Sequence, residues 1–372
     1  MLKVAIIGCG KIADAHAGQI QRIQGCEMVG ACDREELMAR QFAERFQVPR
    51  SFNDVSRLLL EARPDVVHIT TPPQSHFALG KQCLEHGCHV YVEKPFTVNT
   101  KEAKELMRIA EQRNLHLTAG HDDQFSHVAR RMRELVRSGY LGGRPVHMES
   151  HYCYDLGGAG YAQALLGDKR HWVRNLPGGL FQNVISHGIA RIAEFLVGET
   201  AQVLAFGLVS PFLRGLGEEE ILDEIRVILA DSQRTTAYLT FSSQMRPSLH
   251  QFRLYGPRHG LLLDEDQQTL VTLSGKRLKS YAEKFLPPLT MAKQYVGNCL
   301  RNLRLFAAND FQMKSGMKFL IESFYQCITQ GAPLPIPYRE IILTSTVIDS
   351  VIAQLAPVQA PESVEEVSSQ QA

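Results

Sequence analysis

Residues 4–13 read VAIIGCGKIA, and this stretch is the main evidence for the fold class. An apolar run typical of a strand leads directly into a glycine-rich turn. Gly8, Gly10 and Ala13 form a G-x-G-x-x-A pattern, which binds the pyrophosphate of a dinucleotide at the N-terminus of a helix. The first glycine permits a tight turn, the second lets the backbone approach the phosphates, and the alanine allows close packing of helix on strand.

The chain continues as an alternation of short apolar runs and helix-like segments up to about residue 120. The apolar runs are residues 3–7, 28–32, 66–70, 89–92 and 115–119. The helix-like segments between them include residues 14–23, 34–46, 75–86 and 100–113. Short strands that alternate with helices indicate βαβ units and a parallel sheet, so an N-terminal Rossmann domain is predicted for residues 1–120.

Asp33 ends the second predicted strand, about twenty residues after the glycine turn. A carboxylate there accepts hydrogen bonds from the ribose hydroxyls of NAD and repels the additional phosphate of NADP. The alternative interpretation is that Asp33 only caps the following helix. Because Arg34 can accommodate that phosphate, NAD is the expected cofactor and NADP stays open.

The composition excludes several classes of protein. The 372 residues carry 40 basic and 39 acidic side chains, and no Lys/Arg-rich block marks a nucleic-acid surface. The first apolar run is too short for a signal peptide, and no run has the length of a membrane span. Eight scattered cysteines without a C-x-x-C pair are typical of reduced thiols. We therefore expect a cytoplasmic protein without nucleic-acid or membrane partners.

After residue 120 the pattern becomes turn-rich, with apolar alternation at residues 146–154, 203–208, 224–229, 235–241, 250–255 and 261–263. This pattern predicts a C-terminal α/β domain over residues 121–356 with a largely antiparallel, open-faced sheet. Its helices are predicted at residues 184–196, 290–307, 315–330 and 339–355. The polar, acidic tail at residues 357–372 is predicted to be disordered.

Two more stretches place polar groups just after predicted strands: residues 69–76, ITTPPQSH, and residues 92–97, VEKPFT. Ligands of open α/β sheets bind beyond the carboxyl ends of the strands, so both stretches are expected beside the dinucleotide. Ser75 is expected to cap the next helix. For His76 two interpretations stay open, a cofactor contact and a packed histidine.

Together these motifs resemble the Gfo/Idh/MocA family of oxidoreductases. The residues PGGLFQNVISHGIA at 177–190 are similar to a GG-x-L-x-D-x-G-x-H segment of that family. The resemblance covers the chain up to the tail. It implies an NAD(P)-dependent enzyme that transfers a hydride to or from a secondary alcohol or ketone of a sugar, polyol or nucleotide sugar. It also implies a homodimer or homotetramer formed through the C-terminal sheet.

The resemblance implies that Lys94 lies beside the nicotinamide and polarises the reacting oxygen, and that His187 removes the hydroxyl proton. Predicted cofactor contacts are Gly8, Gly10, Lys11, Ile12, Asp33, Arg34, Thr70, Thr71, Pro72, His76, Glu93 and Lys94. Predicted substrate contacts are Lys94, Asp122, Trp172, Arg174, Asn183 and His187. The structural alternatives are a solvated strand end for Lys94 and a packing histidine for His187.

The chain departs from the family at two places. Asn183 stands where the family often has an aspartate, so a paired Asp–His dyad is not expected. Lys94 and His187 would then carry out the catalysis without a carboxylate partner. Residues 120–125 read GHDDQF where the family commonly has Asn-Arg-Arg or Asn-Tyr-Arg, so the substrate's identity does not transfer.

Two neighbouring clusters have more than one interpretation. Residues 121–127 contain two histidines and two aspartates, but no spacing specific to zinc, so no metal is expected. Residues 169–174, KRHWVR, either clamp a phosphorylated or nucleotide-linked sugar or form a solvated loop or subunit contact.

Two alternative functions stay open. A relative that oxidises and then re-reduces its sugar would cleave a glycoside without net NADH. A non-catalytic regulator would bind a dinucleotide or sugar without turnover. Asn183 and the acidic turn at residues 122–123 favour this function, and the presence of Lys94 argues against it.

Overall fold

Two sheets organise the chain in a computed structural model that describes residues 1–154, 165, 167–275, 279, 281–311 and 314–355. The predicted disordered tail, residues 357–372, lies outside the described residues. The first sheet belongs to the predicted Rossmann domain and the second to the predicted C-terminal domain, which confirms the predicted fold class.

The first sheet contains six parallel strands in the order β3-β2-β1-β4-β5-β6. The strands are β1 (Leu2–Ile7), β2 (Cys26–Cys32), β3 (Ser51–Phe52), β4 (Val66–Ile69), β5 (His89–Val92) and β6 (Leu117–Ala119). The helices are α1 (Lys11–Ile20), α2 (Glu36–Phe46), α3 (Val55–Ala62), α4 (His76–Glu85) and α5 (Thr100–Gln112). The strand order reverses between β1 and β4, which is where such sheets form a ligand crevice.

The differences from the predicted elements lie mainly at the boundaries. Helix α1 begins at Lys11, immediately after the glycine turn, whereas the apolar pattern predicted a start at residue 14. The two-residue strand β3 and the helix α3 were not predicted, because the strand is too short for alternation to register.

The second sheet has seven strands in the order β13-β12-β11-β7-β10-β9-β8. They are β7 (His147–Cys153), β8 (Gln202–Leu208), β9 (Glu224–Ala230), β10 (Thr236–Ser242), β11 (Leu249–Tyr255), β12 (His259–Asp264) and β13 (Thr269–Ser274). Among the described strands, β7 and β10 run parallel and the other neighbours are antiparallel. The edge strand β13 was not predicted.

The remaining helices are α6 (His127–Arg137), α7 (Gly179–Ala193), α8 (Pro211–Gly215), α9 (Ala282–Ala307), α10 (Ser315–Gln330) and α11 (Tyr338–Leu355). Helix α7 packs against β7 and β10, and a Cβ on Gly188 would lie 2.8 Å from Leu239, so glycine is needed for this close approach. The predicted start of α9 at residue 290 was too late, since the helix includes Pro287 and Pro288.

Helix α10 returns to the first sheet. Its residues Met317, Leu320, Ile321 and Phe324 are buried in the same apolar core as β1 and β4. The start of the helix lies on the turn that follows β6, because a side chain on Gly316 would collide with the carbonyl oxygen of Asp122. The C-terminal third of the chain therefore covers the Rossmann core, while the domain boundary at residue 120 stays a prediction.

One face of the second sheet is uncovered in the described chain. Leu204, Phe206, Ile228 and Tyr238 lie on it and are exposed, and Ile228 pairs directly with Leu204 and Tyr238 in the neighbouring strands. All eight cysteines are free thiols. None of the described helices combines the length and apolar content that crossing a bilayer requires.

Candidate functional site

The glycine turn lies at the carboxyl end of β1, at the crevice of the first sheet. Gly8 has a φ of +93°, and a Cβ there would lie 2.7 Å from the Thr71 side chain. The Thr70 hydroxyl donates to the Gly8 carbonyl at 2.6 Å and holds the turn. By contrast, a Cβ on Gly10 would meet no protein atom within 4 Å, so protein packing does not require this glycine.

Helix α1 begins at Lys11 without a side-chain cap, so its first amides point at the space beside Gly10. Lys11 is exposed, and Ile12 packs on the core. An uncapped helix N-terminus next to an uncrowded glycine provides the backbone donors and the partial positive charge that a pyrophosphate needs. The turn thus fits the phosphates of a dinucleotide.

The carboxylate of Asp33 is hydrogen-bonded to the backbone of the glycine turn. Its Oδ2 accepts a hydrogen bond from the Cys9 amide at 2.7 Å, and its Oδ1 accepts from the Glu35 amide at 3.0 Å. Helix α2 begins only at Glu36, so the carboxylate does not bond to the helix's own amides, as a cap would. Arg34 beside it is exposed. This geometry favours the ribose-binding interpretation of Asp33 over the capping one.

The turn after β4 is held by its own side chains. Ser75 occupies the N-cap position of α4, as predicted, but its side chain makes no cap hydrogen bond; its hydroxyl donates to Thr71 Oγ1 at 2.7 Å and to the Pro72 carbonyl at 2.8 Å. His76 is fully buried, with Nε2 2.8 Å from the Thr71 carbonyl and Nδ1 3.0 Å from the Pro95 carbonyl. The ring joins two loops, which favours the packing interpretation of His76.

Glu93 is buried at the end of β5. Its Oε1 lies 2.9 Å from His16 Nε2, and its Oε2 accepts from the Lys94 amide at 3.1 Å. Burial raises the pKa of this carboxyl, but the hydrogen bond from His16 and the charges of His16 and Lys94 outweigh it and lower the pKa to about 2. Glu93 is therefore an ionised anchor beneath the lysine, and its described contacts are internal.

A buried chain of polar groups extends from Glu93, and the sequence interpretation missed it. His16 Nδ1 lies 2.8 Å from His68 Nδ1, and His68 Nε2 lies 2.8 Å from the Tyr325 hydroxyl. Burial, with a smaller contribution from His16, lowers the pKa of His68 well below its usual value. A histidine inside the apolar strand β4 was the signal available in the sequence.

Lys94 extends from β5 to the second domain. Its Nζ donates to the carbonyl of Asn183 at 3.1 Å, and the Lys94–Pro95 peptide is cis. Burial lowers the pKa of Lys94, and the charge of Glu93 opposes that effect. Asn183 lies one turn before His187 in α7, so the ammonium meets the helix that carries the histidine.

His187 lies in the interior of the domain junction. Its Nδ1 is 3.5 Å from Asp123 Oδ2. Burial lowers the pKa of His187 to about 3; Asp123 opposes this shift, whereas the nearby ammonium of Lys94 adds to it. The imidazole is therefore neutral at physiological pH and able to accept a proton.

The aspartate beside His187 corrects the expectation that no Asp–His pair would form. Asp123 accepts a hydrogen bond from the Tyr152 hydroxyl at 2.8 Å, and its backbone carbonyl accepts from Arg191 at 2.7 Å. The Tyr152 ring stacks on His187 with centroids 5.8 Å apart. Burial raises the pKa of Asp123, but His187 and Arg191 outweigh it and hold the pKa below its usual value. The acid comes from the GHDDQF turn instead of position 183.

Asp122 and His121 flank this pair. Asp122 lies 3.3 Å from Lys314 Nζ, and burial raises its pKa to about 6 although Lys314 opposes the shift. His121 is 2% exposed, its ring centroid is 6.0 Å from that of His187, and neither ring nitrogen has a partner among the described residues. The sequence interpretation considered His121 only as a metal ligand.

Asp122, Asp123 and His187 present ligand atoms within 4.8 Å of one another, a spacing that a divalent cation could bridge. However, the ammonium of Lys314 already lies on Asp122, and Tyr152 already donates to Asp123. Each of the two carboxylates therefore already has a partner from the protein.

The two predicted substrate contacts in the loop at residues 169–174, Trp172 and Arg174, lie in different surroundings. The Trp172 carbonyl accepts from Gln74 at 2.9 Å, which places this loop beside the turn after β4. Arg174 instead donates to Glu218 at 2.7 Å and to the Leu165 carbonyl, and it lines a separate cavity of about 490 Å³. Arg174 is therefore not brought to Lys94 and His187, and its prediction as a substrate contact finds no support in the geometry.

A cleft of about 520 Å³ is lined by Asp123, the partner of His187, and its described lining includes neither His187 nor Lys94. Tyr152, Tyr154 and His250 supply aromatic surface, and the rings of Tyr154 and His250 lie 4.6 Å apart. The described lining carries four carboxylates and one ammonium: Asp122, Asp123, Glu265, Asp266 and Lys314. Aromatic faces with several hydrogen-bonding groups suit a polyhydroxylated ligand, and the charge balance suits one without negative charge.

Comparisons with known proteins agree with this architecture. Residues 2–121 match a family described as an oxidoreductase family with an NAD-binding Rossmann fold. A D-glucoside 3-dehydrogenase from Escherichia coli is 33% identical over 142 residues, which are 38% of this chain and 40% of that protein. A UDP-N-acetylglucosamine 3-dehydrogenase from Acidithiobacillus ferrooxidans is 32% identical over 149 residues, 40% of this chain and 44% of that protein. The match thus spans less than half the length of these curated relatives.

Solved structures extend the likeness over both domains. The structure of the UDP-N-acetylglucosamine 3-dehydrogenase from Acidithiobacillus ferrooxidans has a TM-score of 0.72 to this chain. The superposition covers 95% of this chain and 97% of that one at 20% identity. At that identity the likeness shows a common fold.

Proposed function

This chain belongs, through residues 2–121, to the Gfo/Idh/MocA family of oxidoreductases, and on that premise we propose that it is an NAD-dependent dehydrogenase acting on a secondary hydroxyl group of a sugar. The observation that carries the proposal is the contact of Lys94 Nζ with helix α7, one turn before the Asp123–His187 pair. The cation and the neutral base supply the charge stabilisation and the proton acceptor that oxidation of an alcohol requires, and Asp123 connects the base to the aromatic cleft.

Four features support NAD as the cofactor. Gly8 permits the tight turn, Gly10 leaves room for the pyrophosphate, the start of α1 supplies amides, and Asp33 presents a carboxylate on the same turn. When bound, NAD supplies the hydride acceptor for the reaction. Because Asp33 is negative, it would repel the additional phosphate that NADP carries on its ribose 2′-oxygen.

The protein's own groups handle the proton and the charge. Lys94 would orient the substrate hydroxyl and stabilise negative charge that develops on its oxygen. With Nδ1 of His187 facing Asp123, the other ring nitrogen would accept the hydroxyl proton. The carboxylate of Asp123 would then stabilise the imidazolium and keep the ring in orientation, while Tyr152 fixes that carboxylate.

For the substrate we propose a sugar that carries no phosphate, such as a simple hexoside. The two curated relatives do not decide this, because one is a glucoside dehydrogenase and the other a nucleotide-sugar dehydrogenase at nearly equal identity. The charge of the cleft supports the choice, since four carboxylates face one ammonium in its described lining. A diphosphate group placed there would be repelled.

The experiment that tests the proposed function compares methyl hexosides with the corresponding uridine-diphosphate hexoses. NADH formation is followed by absorbance with NAD present in excess. We expect kcat/KM for the best neutral hexoside to exceed that of its nucleotide counterpart by at least about tenfold, equivalent to about 1.4 kcal/mol of discrimination.

The possible outcomes separate the parts of the proposal. Faster turnover of the nucleotide sugar would refute the charge argument and leave the dehydrogenase assignment intact. Release of free sugar without net NADH would favour the glycoside-cleaving alternative. Tight binding of NAD and sugar with no product of either kind would favour a non-catalytic regulator.

A separate prediction concerns the cofactor. Replacement of Asp33 by asparagine removes the negative charge but keeps a hydrogen-bonding side chain, so the preference for NAD over NADP should fall by at least about tenfold. The dissociation constants can be measured by titrating protein fluorescence with NADH and NADPH. Asp14, which pairs with Arg45 on the surface, offers a matched control as Asp14→Asn. A wild-type protein that prefers NADPH would contradict the role of Asp33.

We also propose that copies of the chain associate through the uncovered face of the second sheet. The patch formed by Leu204, Phe206, Ile228 and Tyr238 supports this surface, because exposed contiguous apolar side chains usually mark contacts between proteins.

A further inference from the structure

Helix α9 turns its polar side to the protein. The amide of Gln294 pairs with the main chain of Thr272 in β13, accepting from its N–H at 2.8 Å and donating to its carbonyl at 3.1 Å. Asn298 donates to the Leu270 carbonyl at 3.0 Å. One turn further on, Asn302 makes the same kind of bond to the Gln267 carbonyl at 3.0 Å.

This arrangement has a physical cause in the sheet. Strand β13 is an edge strand, so its outer amides and carbonyls have no neighbouring strand to pair with. Three amide side chains spaced four residues apart share one face of a helix and can satisfy those groups. Among the residues of α9, Asn298 alone is buried.

The consequence is that the apolar side of α9 points away from the chain, whereas a surface helix normally turns it to the core. Phe285, Leu289, Val296, Leu303 and Phe306 have exposed fractions of 64%, 66%, 60%, 58% and 72%. With two small residues they form a stripe, which in chain order is Phe285, Leu289, Ala292, Val296, Cys299, Leu303 and Phe306. Its steps of four and three residues are the seam spacing of a coiled coil.

The order of side-chain sizes in this stripe is the same in both directions. Each end has a phenylalanine, followed inward by a leucine and then a small residue, with Val296 in the middle. An antiparallel helix pair about a two-fold axis brings position i of one copy opposite the mirrored position of the other. The stripe therefore meets side chains of similar size when the second helix runs in the opposite direction. A parallel pair would also match sizes, but it would bring Arg301 and Arg304 of one copy beside the same two arginines of the other, and the antiparallel pair keeps these like charges apart.

We propose that α9 is a dimerisation helix that pairs antiparallel with α9 of a second copy, with Val296 on the two-fold axis. This surface is distinct from the uncovered face of the sheet. Helix α9 has 26 residues, and a helix of this length extends for about 39 Å. Two such stripes would bury on the order of 1,000 Å² of mainly apolar surface, close to the area that a specific interface needs.

An anionic membrane surface is the competing partner, because α9 also carries Lys284, Lys293, Arg301 and Arg304 against Glu283. A bilayer would accept any order of apolar side chains. The mirror order of sizes has a function only against a second copy, and it therefore favours the dimer.

The first test replaces Val296 by glutamate, which places two carboxylates opposite each other on the axis. Thr290→Glu is the matched control, since it adds the same charge to an exposed position of α9 outside the stripe. Light scattering after size exclusion should show that V296E halves the molar mass and T290E does not. The proposal is overturned if wild type is monomeric at about 50 µM, if V296E keeps the wild-type mass, or if V296E instead abolishes binding to phosphatidylserine vesicles with no change in mass.

The second test uses Cys299, which in the proposed dimer faces Ala292 of the second copy. The variant A292C should form an intermolecular disulfide with the native Cys299 under mild oxidation, and the covalent dimer is visible on a non-reducing gel. Wild type should not cross-link, because the two Cys299 residues would be displaced by roughly 9 Å along the axis. Cross-linking of wild type through its own Cys299, and so of A292C as well, would indicate a parallel pair and overturn the proposal, as would no cross-link in either protein.

Discussion

Replacement of His187 by asparagine is expected to lower kcat for sugar oxidation by a factor of about 10² to 10⁴, the usual effect of removing a general base. The amide keeps a polar side chain of similar size but cannot accept the hydroxyl proton. Binding of NAD should stay within about twofold, because His187 makes no described contact with the glycine turn.

The matched control is His127→Asn. His127 is a half-buried histidine at the start of α6 that contacts the carbonyl of Asp310, and it makes no described contact with Asp123 or Lys94. Its replacement should leave kcat within about twofold. If His187→Asn keeps more than about a tenth of the wild-type kcat, His187 is a packing residue and the proposed base is wrong.

Asp123 gives this prediction a second measurement. Asp123→Asn should lower kcat with little change in KM, because it weakens stabilisation of the imidazolium formed during the reaction.

The pH profile of the wild type follows from the low pKa of His187, about 3. The carboxyl of Asp122 has a pKa of about 6, so the profile is measured in wild type and in Asp122→Asn. Because the His187 ring is unprotonated above about pH 3, oxidation by Asp122→Asn should show no loss of rate near pH 6.5 on acidification from pH 8 to 5. A loss centred near pH 6.5 in that variant would contradict the burial of the base.

Replacement of Lys94 by methionine is expected to lower kcat by a factor of about 10² to 10³. This is the range found when one hydrogen-bond donor to a developing oxyanion is removed. Methionine has a similar length and removes the ammonium. The positive charge of Lys94 also lowers the pKa of His187. Without it that pKa should rise, so any remaining activity should begin to decline at a higher pH when the solution is acidified.

Lys318→Met is the matched control for this variant. Lys318 lies on α10 and pairs with Glu322, and it makes no described contact with helix α7. Initial rates and NADH titrations measured on both proteins separate catalysis from cofactor binding. Equal kcat values for Lys94→Met and wild type would reduce Lys94 to a structural contact with Asn183.

Local sequence patterns were sufficient to predict much of the fold of this protein. The glycine spacing, the alternation of strands and helices and the family motifs predicted an N-terminal Rossmann domain and a second, largely antiparallel sheet. Both sheets are observed, and the family match over residues 2–121 agrees with the first. Such features depend on neighbours within a few residues. A turn requires glycine at Gly8 whatever lies far away in the chain, and period-two alternation reports a half-buried strand.

The composition of the candidate site depended on contacts that no local pattern contains. Asp123 and His187 are far apart in the chain, and they meet because α7 crosses the second sheet beside the turn after β6. Lys314 reaches Asp122 because α10 returns to the first sheet. A carboxylate in a turn has the same local sequence signal whether it faces solvent or a buried histidine.

The same reason explains why the sequence did not indicate the surroundings of Arg174 or the orientation of helix α9. Arg174 has the charge of a phosphate clamp, but the fold places Glu218 beside it and so satisfies its guanidinium inside the domain. Helix α9 has the periodicity of an ordinary amphipathic helix, and periodicity identifies an apolar face without saying where that face points. The orientation follows from the unpaired edge of β13, which attracts Gln294 and its polar neighbours and leaves the apolar stripe outside.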